Sequence, residues 1–417
     1  LNVVIIGGGG REHALAWKLA QSPGARVFAM PGNPGIARVA ECFPDSKPLE
    51  LAQRVGADLT LVGPEAPLVD GIVDLFHAAG RRIVGPTASA ARLEGSKVFA
   101  KQFMRRARVP TAEFAVVESE SGAIEALERF GVPVVLKADG LAAGKGVVVA
   151  RTRKEAETIA ARLLSGDLVG RAGARIVIEE CLLGEEVSFI VLSDGVHVLP
   201  FEPTQDHKAV FDGDTGPNTG GMGAYRDARI LSPAEREEVL ERIIQPTIRQ
   251  MAAEGTPFRG ILYAGLMLTP DGPRVLEYNV RMGDPEAQPL MHGLESDLAD
   301  VLTAAAEGDL GGARLAWSPR PSVCVVLASA GYPGALRTGC PIHGINEAEA
   351  LGATVFHAGT RLGPNGLENS GGRVLGVTAS GSDLVEAIRR AYQAVDRISF
   401  EGMQYRTDIG QKGLKRW

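Results

Sequence analysis

Short apolar runs at residues 3–6, 26–29, 59–62 and 83–84 alternate with helical patterns, the first helix starting near Arg11. That alternation predicts parallel strands covered by helices on both faces, so residues 1–95 read as a small doubly wound domain. A helix over 97–108 then leads through Val109-Pro110 into a different pattern. Strands at 134–137 and 147–150 flank a loop, a helix covers 154–164, and strands follow at 176–179 and 187–192. Adjacent strands joined by a loop and then a helix predict an α+β module, with further strands at 196–201, 262–268 and 274–280. The section 325–417 has strands near 323–328, 354–357 and 373–378 and a helix over 384–395, and reads as a small closing domain.

One segment alternates strictly. In LEYNVRMGDPE, residues 276–286, Glu277, Asn279 and Arg281 share one face of a strand while Leu276, Tyr278, Val280 and Met282 share the other. The polar row is either a solvated surface or a site. In the first case the strand is half-buried and ends in a turn, with Asp284 capping a helix whose first residue is Pro285.

Composition narrows the choice. The chain of 417 residues is long enough for several domains, and its 52 glycines exceed what helices and strands need. A net charge of -6 argues against nucleic acid as a partner. Four scattered cysteines make no CxxC pair, so neither a structural zinc site nor a disulfide framework is expected. There is no signal-peptide pattern and no apolar run of membrane-spanning length, so a cytoplasmic protein is expected. The start at Leu1-Asn2 without methionine suggests residues missing before it.

The glycines gather in loops beyond strands. Gly7 to Glu12 fails as a dinucleotide fingerprint because Glu12 falls where the third glycine should be, although an anion at the helix start beside Arg11 stays reasonable. Lys137, Gly140, Gly144, Lys145 and Gly146 lie between two β-forming runs. Glycines let backbone N–H groups approach phosphate oxygens, and lysine adds charge. A P-loop is excluded, since Gly146 follows Lys145 where Ser or Thr is needed and a strand follows instead of a helix. What remains is a strand-loop-strand flap over a nucleotide. Glu179, Glu180, Cys181 and Leu182 end a strand that could meet an adenine edge, and Glu186 could accept from ribose hydroxyls. The stretch 204–225, with His207, Lys208, Asp212 and Asp214, reads as a long substrate-binding loop, its Asp-x-Asp pattern lacking EF-hand spacing.

Together, GGGGREHALAW, LVGPEAPLVDGI, LEGSKVFAKQFM, KADGLAAGKGV, QDHKAVFDGDTGPNTGGMGAY and EYNVRMGDPE resemble, in order and spacing over essentially the whole chain, the glycinamide ribonucleotide synthetases of the ATP-grasp superfamily. The resemblance implies α/β and α+β multidomain architecture: an N-terminal doubly wound parallel-sheet domain (1–95), central ATP-grasp lobes (96–324, with a mobile lobe near 112–185) and a small C-terminal domain (325–417). It implies ATP-dependent joining of glycine to 5-phosphoribosylamine through glycyl phosphate, in purine biosynthesis. ATP is then the co-substrate with Mg²⁺ or Mn²⁺, and a monomer or weak homodimer is expected, with no nucleic-acid or membrane partner.

Carried over residue by residue, Glu277 and Asn279 hold the metal and Arg281 lies near the reacting phosphoryl group, with Asp212 and Lys208 as further catalytic candidates. Lys101 and Lys137 bind ATP phosphates under the loop Gly140–Gly146. Glu179, Glu180, Leu182 and Glu186 hold adenosine. The sugar phosphate lies against Gly9, Gly10, Pro64, Glu65, Asp212, Gly220 and Gly221. The chain departs from the family pattern at Val280, Met282 and Ala209, where cysteine, phenylalanine and arginine are common. The first two repack a buried face, whereas Ala209 removes a cation from the loop.

Overall fold

The computed structural model describes residues 1–141, 146–170 and 174–415. Its first sheet has five parallel strands in the order Glu41–Cys42, Arg26–Pro31, Asn2–Gly7, Leu59–Val62, Ile83–Val84. Val3, Val4 and Ile5 are fully buried, as a run of consecutive apolar residues must be when helices cover both faces of a parallel sheet. The strands all end on one side, so the loops after Gly7, Pro31 and Val62 lie together.

A separate four-stranded antiparallel sheet, Phe114–Val117, Ile176–Glu180, Val134–Ala138 and Val147–Ala150, carries its own core. Leu127 and Leu163, from helices Glu120–Phe130 and Arg153–Leu164, pack there with Val134, Leu136 and Ile178. Ser119 and Thr152 accept the N–H groups of Gly122 and Glu155, fixing where these helices begin.

The third sheet is antiparallel and has nine strands. Its path runs Gly272–Asn279, Arg259–Thr269, Glu185–Asp194, Thr204–Asp206, Gly223–Arg226, Ser322–Ala328, Arg373–Ser380, Thr354–His357, with Val198–Pro200 paired beside Glu185–Asp194. The C-terminal strands therefore continue the sheet of the central region through the pairing of Gly223–Arg226 with Ser322–Ala328. Helix Leu384–Val395 has the bounds its sequence predicts and packs on this sheet, burying Leu384, Ala387, Ile388, Ala391 and Val395 at helical spacing. Among the described residues, no helix is long and apolar enough to cross a membrane.

Three local expectations need correction. The stretch 204–225 is not a loop without structure: Thr204–Asp206 and Gly223–Arg226 join the large sheet, and Ala209–Phe211 pairs with Thr215–Asn218. The alternation over residues 276–282 is broken by a bulge, because Glu277 faces Gly265 while Val275 faces Leu266, leaving Leu276 as the extra residue. Leu276 is consequently only half-buried, whereas Val275 and Tyr278 are buried. Asp284 does not cap a helix. Helix Ala287–Gly293 starts after Glu286, and the Asp284 carboxylate is instead engaged by Arg373 and Gln288.

Candidate functional site

The four-stranded sheet and the strand Gly272–Asn279 meet through two buried lysines. Lys101 lies on helix Lys97–Ala107 and Lys137 near the end of strand Val134–Ala138. Their ammonium nitrogens each lie 2.5 Å from one oxygen of Glu179, which is itself buried. Lys137 also donates to the Leu276 carbonyl at 2.8 Å, and Lys101 to Thr111 Oγ1 at 2.6 Å. Burial pushes the Lys101 pKa down to about 8 against the opposing pull of Glu179. Two cations this deep need an anion, and Glu179 supplies it where the sequence assigned it to adenosine. Beside them Gly140 is placed and Lys97 donates to its carbonyl at 3.3 Å, while Gly144 and Lys145 lie outside the described residues. Gly146 accepts from the N–H of Ala138 at 2.7 Å and so closes the base of the flap.

On the strand itself, Glu277 and Asn279 are each half-buried; Arg281, expected on the same strand, lies two residues past its end at Asn279 and is half-buried too. Burial favours a neutral Glu277, but Lys208, Lys97, Lys137 and Arg281 outweigh it and hold the carboxyl below its usual range. Asn279 Oδ1 accepts from Arg281 at 3.0 Å. The Arg281 guanidinium also pairs with Glu94 at 2.8 Å and with Glu65 at 3.3 Å. Glu94 further accepts the N–H of Val280 at 2.7 Å. Nothing in the LEGSK stretch around Glu94 marks it for this role.

Lys208 pairs with Glu186 at 2.9 Å and lies 4.0 Å from Asp206. Burial works against the Lys208 charge, yet these carboxylates raise its pKa well above the ordinary value. Burial raises Asp206 to about 7 in turn. Glu180 accepts from the N–H of Glu113 at 3.0 Å and from Arg274 at 3.1 Å, and Leu182 is half-buried beside it.

A second cluster lies where the parallel strands end. Glu12 carries its carboxylate back to the Gly9 N–H at 2.6 Å and to Arg11 Nε at 2.6 Å, so this side chain occupies the helix start where an anion was expected. A Cβ on Gly63 would fall 1.9 Å from Glu12 Oε1, which explains why the residue before Pro64 has none. Gly9 and Gly10 border Asp284, Gly221 borders the Asp284-Pro285 turn and Gly220 borders Arg373. A Cβ on Gly221 would fall 2.4 Å from Pro285 Cδ, and one on Gly10 3.6 Å from Asp284 Oδ1. Arg373 holds this cluster together: it donates to the carbonyls of Gly220 at 2.8 Å and Asp284 at 2.6 Å, and to Asp284 Oδ2 at 3.0 Å. Nothing in its sequence surroundings, a lone arginine after two glycines, announced that role.

Asp212 stands apart from both clusters in its bonding. Its oxygens accept from the N–H of Thr407 at 2.8 Å and from the Thr407 hydroxyl. Arg406 reaches the carbonyl of Ala209 at 3.1 Å and the carboxylate of Asp214 at 2.9 Å. Arg406 thus supports the hairpin that carries alanine at 209.

A buried lysine pair, one from helix Lys97–Ala107 and one from the four-stranded sheet, facing a strand end with a carboxylate and an amide and a guanidinium just beyond it, fits an ATP-grasp enzyme. The family models for phosphoribosylglycinamide synthetase match in three consecutive parts: the N domain at 1–94, the ATP-grasp (A) domain at 95–287 and the C domain at 322–412. The chain belongs to this family and is an ATP-dependent ligase. It is 51% identical over 426 aligned residues to the phosphoribosylamine–glycine ligase of Xanthomonas axonopodis pv. citri, covering 100% of this chain and 99% of that protein. The crystal structure of the phosphoribosylamine–glycine ligase of Thermotoga maritima superposes with a TM-score of 0.86 at 34% identity, over 98% of this chain and 100% of that one. A biotin carboxylase from Campylobacter jejuni, in complex with β-γ-ATP, shares the fold with a TM-score of 0.73 at 15% identity, over 99% and 95% of the chains.

Proposed function

We propose that the chain joins the glycine carboxylate to the amine of 5-phosphoribosylamine, converting ATP to ADP and phosphate by way of glycyl phosphate. The observation that carries this reading is the row Glu277, Asn279, Arg281, which meets Lys137 of the lobe on one side and Glu65 of the strand-end loops on the other. Nucleotide phosphates exchange for Glu179 as partners of Lys101 and Lys137, while Lys208 adds charge near them. Glu180, Leu182 and Glu186 line the adenosine side. The ribosyl phosphate lies among Gly9, Gly10, Pro64, Glu65, Gly220 and Gly221, with Asp212 anchoring the loop.

The donors suit Mg²⁺ or Mn²⁺: an ionised carboxylate and an amide oxygen are hard ligands two residues apart on one strand face. Glu277 and Asn279 would hold the ion, and nucleotide oxygens would supply further hard ligands. When bound, the ion supplies charge neutralisation to the phosphates. Arg281 neutralises charge as the γ-phosphoryl moves, and the protein otherwise positions the reactants and excludes water. Glycine labelled with oxygen-18 in its carboxylate tests the intermediate. One label in the released phosphate supports glycyl phosphate, and unlabelled phosphate alongside ligated product contradicts it.

A further inference from the structure

The two carboxylates on Arg281 differ in kind. Glu94, on helix Ala88–Gly95, is buried and pinned: one oxygen takes Arg281 at 2.8 Å while the other takes the Val280 N–H at 2.7 Å. Glu65 opens helix Glu65–Val69 directly after Gly63-Pro64, is 34% exposed at its side chain, and meets Arg281 at the longer distance of 3.3 Å. One carboxylate is fixed by the N–H of Val280, the residue just before Arg281. The other opens a helix just beyond a strand-end loop, is partly exposed and feels Arg11 as well as Arg281.

We infer that Glu94 and Glu65 form a clamp on Arg281 with one fixed and one releasable jaw, in which Glu94 is a positioning residue and Glu65 reports occupation of the ribosylamine site. The inference rests on the proposed function. A ribosylamine offers amine and hydroxyl donors, which are the partners an exposed carboxylate accepts. Drawn onto them, Glu65 leaves Arg281, whose charge then serves the γ-phosphoryl group instead of a second carboxylate. Glycine activation thereby waits for the amine.

The chemistry gives this timing a purpose. In activation a glycine carboxylate oxygen bonds to the γ-phosphorus, and the bond to the β–γ bridging oxygen breaks, releasing ADP with the electron pair. With the amine present, its nitrogen bonds to the glycyl carbonyl carbon, phosphate leaves, and a proton passes to solvent. Without it, water attacks the same bond, glycine and phosphate return, and one ATP is lost.

The test measures ADP release by the full chain with ATP, Mg²⁺ and glycine, with and without phosphoribosylamine, for wild type, Glu65→Gln and Glu94→Gln. Loss of a charge-assisted hydrogen bond corresponds to about a tenfold effect. Glu65→Gln is expected to raise the amine-independent share of its own ADP release about tenfold. In Glu94→Gln a single amide cannot accept from both Val280 N–H and Arg281, so kcat is expected to fall about tenfold with KM for ATP within twofold of wild type. An unchanged amine-independent share in Glu65→Gln, with only a raised KM for the amine, overturns the clamp, and so does wild-type kcat in Glu94→Gln. If Glu94→Gln fails to fold, the Glu65→Gln ratio decides alone. A wild type inactive with both substrates refutes the proposed function and the clamp with it, whereas a coupled wild type with an unchanged amine-independent share in Glu65→Gln refutes the clamp only.

Discussion

Lys137 Nζ donates to the carbonyl oxygen of Leu276 across 2.8 Å, joining the four-stranded lobe to the strand that carries Glu277 and Asn279. The bulge makes this contact available. Leu276 is the unpaired residue opposite Gly265 and Leu266, so its carbonyl is free of the ladder and can turn to the lysine. A defect in strand pairing thus sets the distance between Lys137 and the strand face that carries Glu277 and Asn279.

Glu277→Gln keeps size and polarity and removes the charge. Because four cations surround this carboxylate and hold it ionised, the variant is expected to stay folded and to lose at least about a hundredfold in kcat, in the range seen when one electrostatic group is removed from a reacting centre. Turnover at ordinary Mg²⁺ near the wild-type rate would remove Glu277 from the site.

Asp212→Asn retains one acceptor toward Thr407 and loses the other. The loop ending in Gly220 and Gly221 then loses part of its anchor to the C-terminal segment. We expect kcat/KM for the amine to fall about tenfold, the equivalent of one hydrogen bond, with KM for ATP within twofold of wild type. A selective loss of ATP affinity would place this loop at the nucleotide instead.

Much of this fold is written in periodicity, and much of the site is not. Helix Leu384–Val395 and strand Thr354–His357 carry their boundaries in their apolar spacing. The strict alternation at 276–282 concealed the bulge, because an extra residue in a strand leaves the list of residue types unchanged and only the partner strand reveals it. Glu179 read as a strand-end acid open to solvent or adenine, since Lys101, 78 positions earlier by their numbers, comes close only through the fold. Arg373 was invisible for the same reason. Its three acceptors lie on Gly220 and Asp284, and no local pattern connects a strand-start arginine to them.

Lys101 sets a pH dependence. Its folded pKa of about 8 lies below the unfolded value near 10.5, so kcat/KM for ATP is expected to decline about tenfold per unit once pH exceeds about 8. For stability the sign is opposite: the unfolded chain binds this proton more readily, so stability rises between about pH 8 and 10.5. Lys101→Arg, charged throughout, should abolish the basic limb in kcat/KM profiles. An unchanged limb in that variant assigns it to another group.

Four histidines act at the other end of the scale. Burial lowers His13 and His207 to about 3 and His292 and His357 to about 4. Each is neutral in the folded protein and takes a proton on unfolding below pH 6.5, so stability present above 6.5 is lost as pH falls toward 4. Asp206, raised to about 7, opposes them by one proton. The urea midpoint is expected to drop from pH 7.5 to pH 5 with slope m unchanged, and a flat midpoint contradicts the burial of these rings.

ADP release in the presence of ATP and Mg²⁺, with glycine and phosphoribosylamine formed in situ and with each omitted in turn, tests the account most directly. Sustained ADP release that requires both substrates is the predicted result. No ADP with this pair, but turnover with another carboxylate or amine, would contradict it.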